Sequence, residues 1–137
     1  MSNTFWVPGI PVAKARPRVT MIGGRARAYT PKKSADWERE IQKQVRMQPL
    51  QGPLIMTIVC HLPIPKSWSK KKHAEAVSGS VFPVSKPDVD NYAKSVMDAL
   101  NGIAYFDDSQ VVTLTCQKQY SAGEPGLNIE IIPSLPH

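Results

Sequence analysis

The sequence is poor in the residues that would make it a thiolate metalloprotein or a membrane protein. Among its 137 residues are two cysteines, Cys60 and Cys116, and three histidines, His61, His73 and His137. The cysteines form no C-x-x-C pair, and no histidine stands at a spacing that would complete a zinc site with them. Each cysteine lies in an apolar, strand-like run, which predicts two buried, reduced thiols. The dipeptide Cys60-His61 is no metal site, because neighbours on a strand point to opposite faces. No apolar run approaches the length of a spanning helix, and no charged-then-apolar leader opens the chain. No membrane partner is expected, and the expected location is the cytoplasm.

Acidic residues are also scarce, but only in the first half. Residues 1–72 carry 14 Lys/Arg against 3 Asp/Glu, a net of +11, whereas residues 73–137 carry 3 Lys/Arg against 8 Asp/Glu, a net of −5. The whole chain is +6, with 42% hydrophobic and 20% charged residues, a balance typical of a globular protein rather than a disordered one. The length fits one domain over residues 1–137, able to bury roughly two-thirds of its unfolded surface without disulfide staples. A basic half points to a polyanionic partner. Carboxylates brought next to phosphates repel them unless a cation intervenes, so an acidic half on the same small domain suggests a metal-dependent nuclease more than a simple binder.

Periodicity and punctuation predict the order βββαβααββ, an α+β domain with a mixed or antiparallel sheet and helices packed on one face. Thr4 to Val7 reads as a first strand. The basic stretch from Lys14 through Arg16, Arg18, Arg25 and Arg27 reads as a hairpin or extended loop that turns at Gly23-Gly24. Thr30 is a candidate N-cap with Pro31 at the first helical position. The helix is expected to reach about Met47 before Pro49, burying Trp37, Ile41 and Val45. Leu54 to Leu62 is rich in β-branched and apolar residues and predicts a strand. A short basic helix is expected over Ser69 to Val77, a clear helix over Asp88 to Leu100 closed by Asn101-Gly102, and strands over Val111 to Tyr120 and Leu127 to Ile132.

The acidic segment carries the chemistry. Five of the 11 acids fall within residues 88–108. On a helix, Ala93, Val96, Met97 and Leu100 form an apolar face, and Asn91, Lys94 and Asp98 group on another, so the polar groups are supported by an element that packs on the core. Pro87 disfavours a helical conformation at Lys86, and in an extended entry Asp88 and Asp90 would point to the same side. Paired carboxylates repel unless a cation compensates, and carboxylate oxygens suit Mg²⁺. The blander possibility is that Asp88 caps the helix and Asp90 complements its dipole. A second pair, Asp107-Asp108, follows the glycine and can return to the helix start; it too can be read as a turn or cap before Ser109-Gln110. Taken together, the acids predict one shared metal site.

These residues form a familiar series. Asp88-Val-Asp90-Asn91, Lys94, Asp98-Ala-Leu100-Asn-Gly102 and Asp107-Asp108-Ser-Gln110-Val resemble the RusA family of Holliday junction resolvases. Pro8-Gly9, Lys14-Ala-Arg16-Pro-Arg18, Tyr29-Thr-Pro31 and Ile64-Pro-Lys-Ser-Trp-Ser-Lys70 are similar to its phage and prophage members, so the likeness runs from Phe5 to Ile132. It implies a homodimer that binds four-way DNA junctions and nicks opposing strands with Mg²⁺ or Mn²⁺, in recombination and repair, with no small-molecule cofactor. By motif, Asp88, Asp90 and Asp108 would be the catalytic, metal-binding acids, Asp107 a further ligand, and Lys94 a catalytic or phosphate-neutralising lysine. The chain departs from some members in having Lys86-Pro87 before the first aspartate instead of a longer basic run.

Candidate phosphate contacts are Lys14, Arg16, Arg18, Arg25, Arg27, Lys32, Lys33, Lys70, Lys71 and Lys72, although charge runs are often only solvated faces. Trp68 could stack on an unpaired base, but more commonly such a residue is half-buried packing. Two other functions compete. A non-catalytic basic DNA-binding module would use the acids as caps and ion-pair partners. A metal-dependent nucleotide hydrolase would fit the acids but not so basic a first half.

Overall fold

The fold is built outward from β4 (Leu54–Leu62), whose side chains alternate so that Leu54, Met56, Ile58 and Cys60 are buried while Ile55, Thr57 and Val59 are not. In the computed structural model, which describes residues 3–15, 18–29 and 31–135, β4 lies between two partners. β6 (Gly126–Pro133) runs antiparallel to it and β5 (Val111–Tyr120) parallel. β1 (Asn3–Pro8) adds to the far side of β6, giving a mixed sheet in the order β1-β6-β4-β5. Register aligns Met56 with Ile131, Ile58 with Ile129 and Cys60 with Leu127, so the inward rows of β4 and β6 form one apolar surface. Gly126 is required where β6 meets β1: a Cβ there would come within 2.4 Å of the Trp6 ring.

A parallel β4–β5 pair needs a crossover connection, and residues 63–110 provide it. That crossover contains α2 (Lys70–Ser78) and α3 (Val89–Leu100). α3 lays Tyr92, Ala93, Val96, Ala99 and Leu100 on the core, with Met97 half-buried at its edge. α1 (Lys32–Lys43) packs beside α3 and contributes Trp37 and Ile41. The expected single covered face is therefore observed. α2 buries only Ala76 and is a surface helix, capped by Ser69, whose Oγ accepts the Lys72 N–H at 3.2 Å.

The element order matches expectation, with differences at the ends. Pro31, in an extended conformation, occupies the cap position before α1, so the helix begins one residue later than predicted; Thr30 lies outside the described residues. α1 stops at Lys43 rather than near Met47. The Gln44 and Val45 N–H groups bond to Ile41 and Gln42 carbonyls, a tightened last turn that ends the helix. Val45 still packs on the core from beyond it. The basic hairpin is a separate ladder, β2 (Arg18–Ile22) with β3 (Arg25–Tyr29), turned by Gly23 and Gly24 at φ of 59° and 76°. Two successive residues at positive φ are what a tight hairpin turn demands. The thiols differ from expectation in part: Cys60 is buried, but Cys116, on the edge strand, is only half-buried. The adjacent Cys116 thiol and burial push the Cys60 thiol far above its ordinary value.

Candidate active site

The first turn of α3 carries the first acids. Asp88 is at the cap position with an extended backbone, yet its side chain accepts no capping hydrogen bond. The capping role that chemistry would first suggest for it is therefore not taken. Val89 and Asp90 are already helical, so the two-residue alternation of an extended chain, the expected reason for Asp88 and Asp90 to share a side, does not apply to them. Asp90 instead begins a helical row, Asp90, Lys94 and Asp98, four residues apart.

That row lines a pocket of about 250 Å³ together with Ala93, Met97, Leu114 and Asp108. Asp90 and Asp108, 18 residues apart in sequence, thus meet at one surface. A larger cavity of about 390 Å³ between Pro11, Val12, Pro31, Pro87 and Tyr92 has only Lys33 as a charged wall; the smaller pocket is the candidate site because it carries the acids. Among the described residues no three His, Cys, Asp or Glu side chains form a ready-made metal-binding group. The donors available, carboxylate oxygens from two elements, are of the kind hard divalent cations take.

Tyr105 brings Asp108 back to the helix. It is fully buried, and its hydroxyl donates to the Met97 carbonyl at 2.7 Å. Burial, with the nearby Asp108 and Asp98 charges, holds its phenol well above the ordinary value. Asp107 then caps a single 3₁₀ turn over Asp108–Gln110. Its carboxylate accepts from the Ser109 N–H and hydroxyl, while the Gln110 side chain accepts from the Asp107 N–H at 3.0 Å. Those Ser109 bonds hold the Asp107 carboxyl below its usual range. Gln110 also donates to the Leu50 and Gly52 carbonyls at 2.9 and 3.0 Å, pinning the turn to the loop before β4. Two adjacent aspartates are thereby separated, one engaged in the turn and one facing the pocket. The Asp107-x-x-Gln110 spacing is a capping-box signature and was the available signal for this division.

Asp98 links the pocket to the basic segment. Its carboxylate lies 3.2 Å from Lys14 Nζ and 3.6 Å from Lys94 Nζ. Lys14 also pairs with Glu38 at 3.1 Å, and its side chain is only 14% exposed. Burial alone would lower the Lys14 pKa, but the bonds from Glu38 and Asp98 outweigh it and the net shift is upward. Lys14 was expected to contact phosphate; here it is a part-buried ion-pair residue holding α1 to α3. Lys94, 63% exposed, keeps donors free at the pocket mouth.

The other basic residues are spread more widely. Arg25 and Arg27 are exposed on β3, two residues apart and therefore on one face of the hairpin. Arg18 lies on β2, but its side chain, like all of Arg16, is outside the described residues. Lys32 and Lys33 are exposed at the start of α1, Lys32 paired with Asp36 at 2.9 Å. Lys70, Lys71 and Lys72 are exposed on α2. Lys72 sits 4.0 Å over the Trp68 ring, and that ring packs edge-on against Tyr120. Trp68 is half-buried packing, the commoner of the two roles weighed for it. His61 faces away from Cys60, as alternation requires, and is approached by Gln119, Asn128 and Trp6 on the uncovered side of the sheet.

An acidic pocket supported by a core helix, with a lysine at its mouth and an exposed arginine hairpin on the same small α+β domain, is the arrangement expected of a protein that acts on a polyanion at a carboxylate site. The chain belongs to the endodeoxyribonuclease RusA family, whose model matches residues 8–132. It is also similar to the uncharacterized protein YqaN of Bacillus subtilis strain 168, 42% identical over 133 residues that cover 93% of each chain. Its class of activity is thus that of a nuclease, and among the described residues no helix is long and apolar enough to cross a membrane.

Proposed function

We propose that this protein is a Mg²⁺-dependent endonuclease, with Mn²⁺ able to substitute, that resolves four-way DNA junctions by paired nicks during recombination and repair. The observation that carries the reading is the meeting of Asp90, Lys94 and Asp108 at one pocket in a member of this family. Asp88, Asp90 and Asp108 are the proposed metal-holding carboxylates, with Asp107 held to its turn. A bound divalent ion would supply an activated water and charge stabilisation at the phosphorus.

The chain's own contribution is positioning. α3 fixes Asp90 and Lys94 on a helix anchored by the core, and Tyr105 fixes the return that carries Asp108. Lys94 is proposed to neutralise the phosphate beside the cleaved bond, its ammonium oriented by Asp98. Arg25 and Arg27 are proposed to hold the DNA backbone, together with Arg16, Arg18, Lys32, Lys33 and the lysines of α2. Phosphate contacts of this kind weaken steeply with salt. A homodimer is part of the proposal, because two sites related by a two-fold axis match the approximate symmetry of a four-way junction.

A second reading, a DNA-binding module without cleavage, has one observation in its favour: among the described residues no three His, Cys, Asp or Glu side chains form a ready-made metal-binding group. A labelled synthetic four-way junction and a matched linear duplex, incubated with Mg²⁺ or EDTA, separate the two readings. Paired nicks on the junction alone, only with metal, and lost in Asp90→Asn while binding persists, are the expected result. Junction binding with no cleavage in Mg²⁺ or Mn²⁺ would leave the binding module.

A further inference from the structure

Lys118 has no part in the chemistry just described, yet its placement is specific. It lies on β5 opposite Cys60 and projects to the same side of the sheet as Leu114 and Cys116, the side that faces α3. A half-buried ammonium must find acceptors. Among the described residues Lys118 is in no ion pair; it donates instead to the Ser85 carbonyl at 2.9 Å and the Pro87 carbonyl at 3.0 Å. Two residues away on the same side, the Cys116 thiol donates to the Val89 carbonyl at 3.4 Å.

The three accepting carbonyls belong to residues 85, 87 and 89 and so bracket Asp88. Asp88 needs such support. It follows a loop over residues 79–87 that has no strand or helix, and its side chain makes no capping bond that would fix it locally. Its own carbonyl accepts the Asn91 and Tyr92 N–H groups at 3.2 and 3.4 Å, so its backbone is where the loop becomes α3.

We propose that Lys118 is a positioning residue for the site: it clamps the loop carbonyls on either side of Lys86 and so sets where Asp88 presents its carboxylate to a divalent cation. The inference rests on the metal-dependent reading above. A neutral side chain of similar length would leave two carbonyls without their donor and the entry to α3 free to shift, while the helix itself, held by its apolar face, would stay in place.

The test compares wild type with Lys118→Met and Lys118→Arg, and with Thr115→Ala on the opposite face of β5 as a control for strand damage. Hydrogen exchange in the absence of DNA and metal should speed up roughly tenfold across residues 84–90 in Lys118→Met and nowhere else. Half-saturation by Mn²⁺, titrated without DNA, should rise roughly tenfold in the same variant. Arginine, which can donate to both carbonyls, should restore both readouts, and Thr115→Ala should move neither. Unchanged local exchange, or unchanged Mn²⁺ affinity with faster exchange, overturns the clamp. Wild type that binds no Mn²⁺ overturns the clamp and the metal-dependent reading together. Wild type that binds Mn²⁺ in the expected order of variants but cuts no junction overturns the nuclease reading alone.

Discussion

α3 and the β2–β3 hairpin carry opposite charges, and they are held in opposite ways. α3 presses five apolar residues into the core, and its polar row is fixed by that packing. The hairpin is exposed along the whole of β3, and Val19, Met21 and Ile22 of β2 are each more than half exposed as well. Among the described residues its ladder pairs only with itself, and a lone two-stranded ribbon is marginal in water. Cleavage requires carboxylates placed to within fractions of an ångström, which favours a rigid element. Gripping a polyanion requires charge and reach, and a compliant ribbon supplies both. The contrast assigns precision to the acids and adaptability to the arginines.

The sharpest way to break that contrast lies within the acids themselves. Asp108→Asn should lower cleavage by about a hundredfold or more, in line with losing a group that supports transition-state charge. Asp107→Asn should retain most activity, because asparagine can also accept from Ser109; quantified junction cleavage decides between them, and equal losses would mean that Asp107 belongs to the site. Next comes the link between the two regions. Lys14→Met leaves Glu38 and Asp98 sharing a poorly solvated space, and should lower unfolding stability by about 2 kcal/mol. Denaturant titration measures it; a change near zero with a large loss of DNA affinity would return Lys14 to the phosphate contacts.

The hairpin should behave differently from either. Arg25→Ala with Arg27→Ala should leave stability within about 0.5 kcal/mol and reduce the salt dependence of junction binding by a slope of about two. An unfolded double variant would show that the hairpin is part of the cooperative core. The smallest effect is expected inside α3. Ser95 is fully buried, and its hydroxyl has no hydrogen-bond partner. Ser95→Ala removes an unpaired polar group and should be neutral or stabilising by up to about 1 kcal/mol, read as an upward shift of the thermal midpoint.

Much of this protein was determined by its amino acids taken in order. The β-branched run of β4, the glycine pair of the hairpin and the apolar face of α3 each state a local period or a local backbone requirement, and such signals do not depend on distant partners. The acidic motifs and their family are legible for the same reason: they are strings of residue types at short spacing. The tertiary structure decided which members of those strings act together. Asp107 and Asp108 are equivalent by sequence until Ser109 and Gln110 take one of them into a turn. Lys14 is indistinguishable from Arg25 as a basic residue until two carboxylates from two helices close on it. Lys118 is one lysine on a strand until a loop from 31 residues upstream delivers two carbonyls to it. Charge and period are properties of neighbours along the chain; pairing, desolvation and orientation are properties of neighbours in space, and only the folded sheet and its crossover helix bring those together.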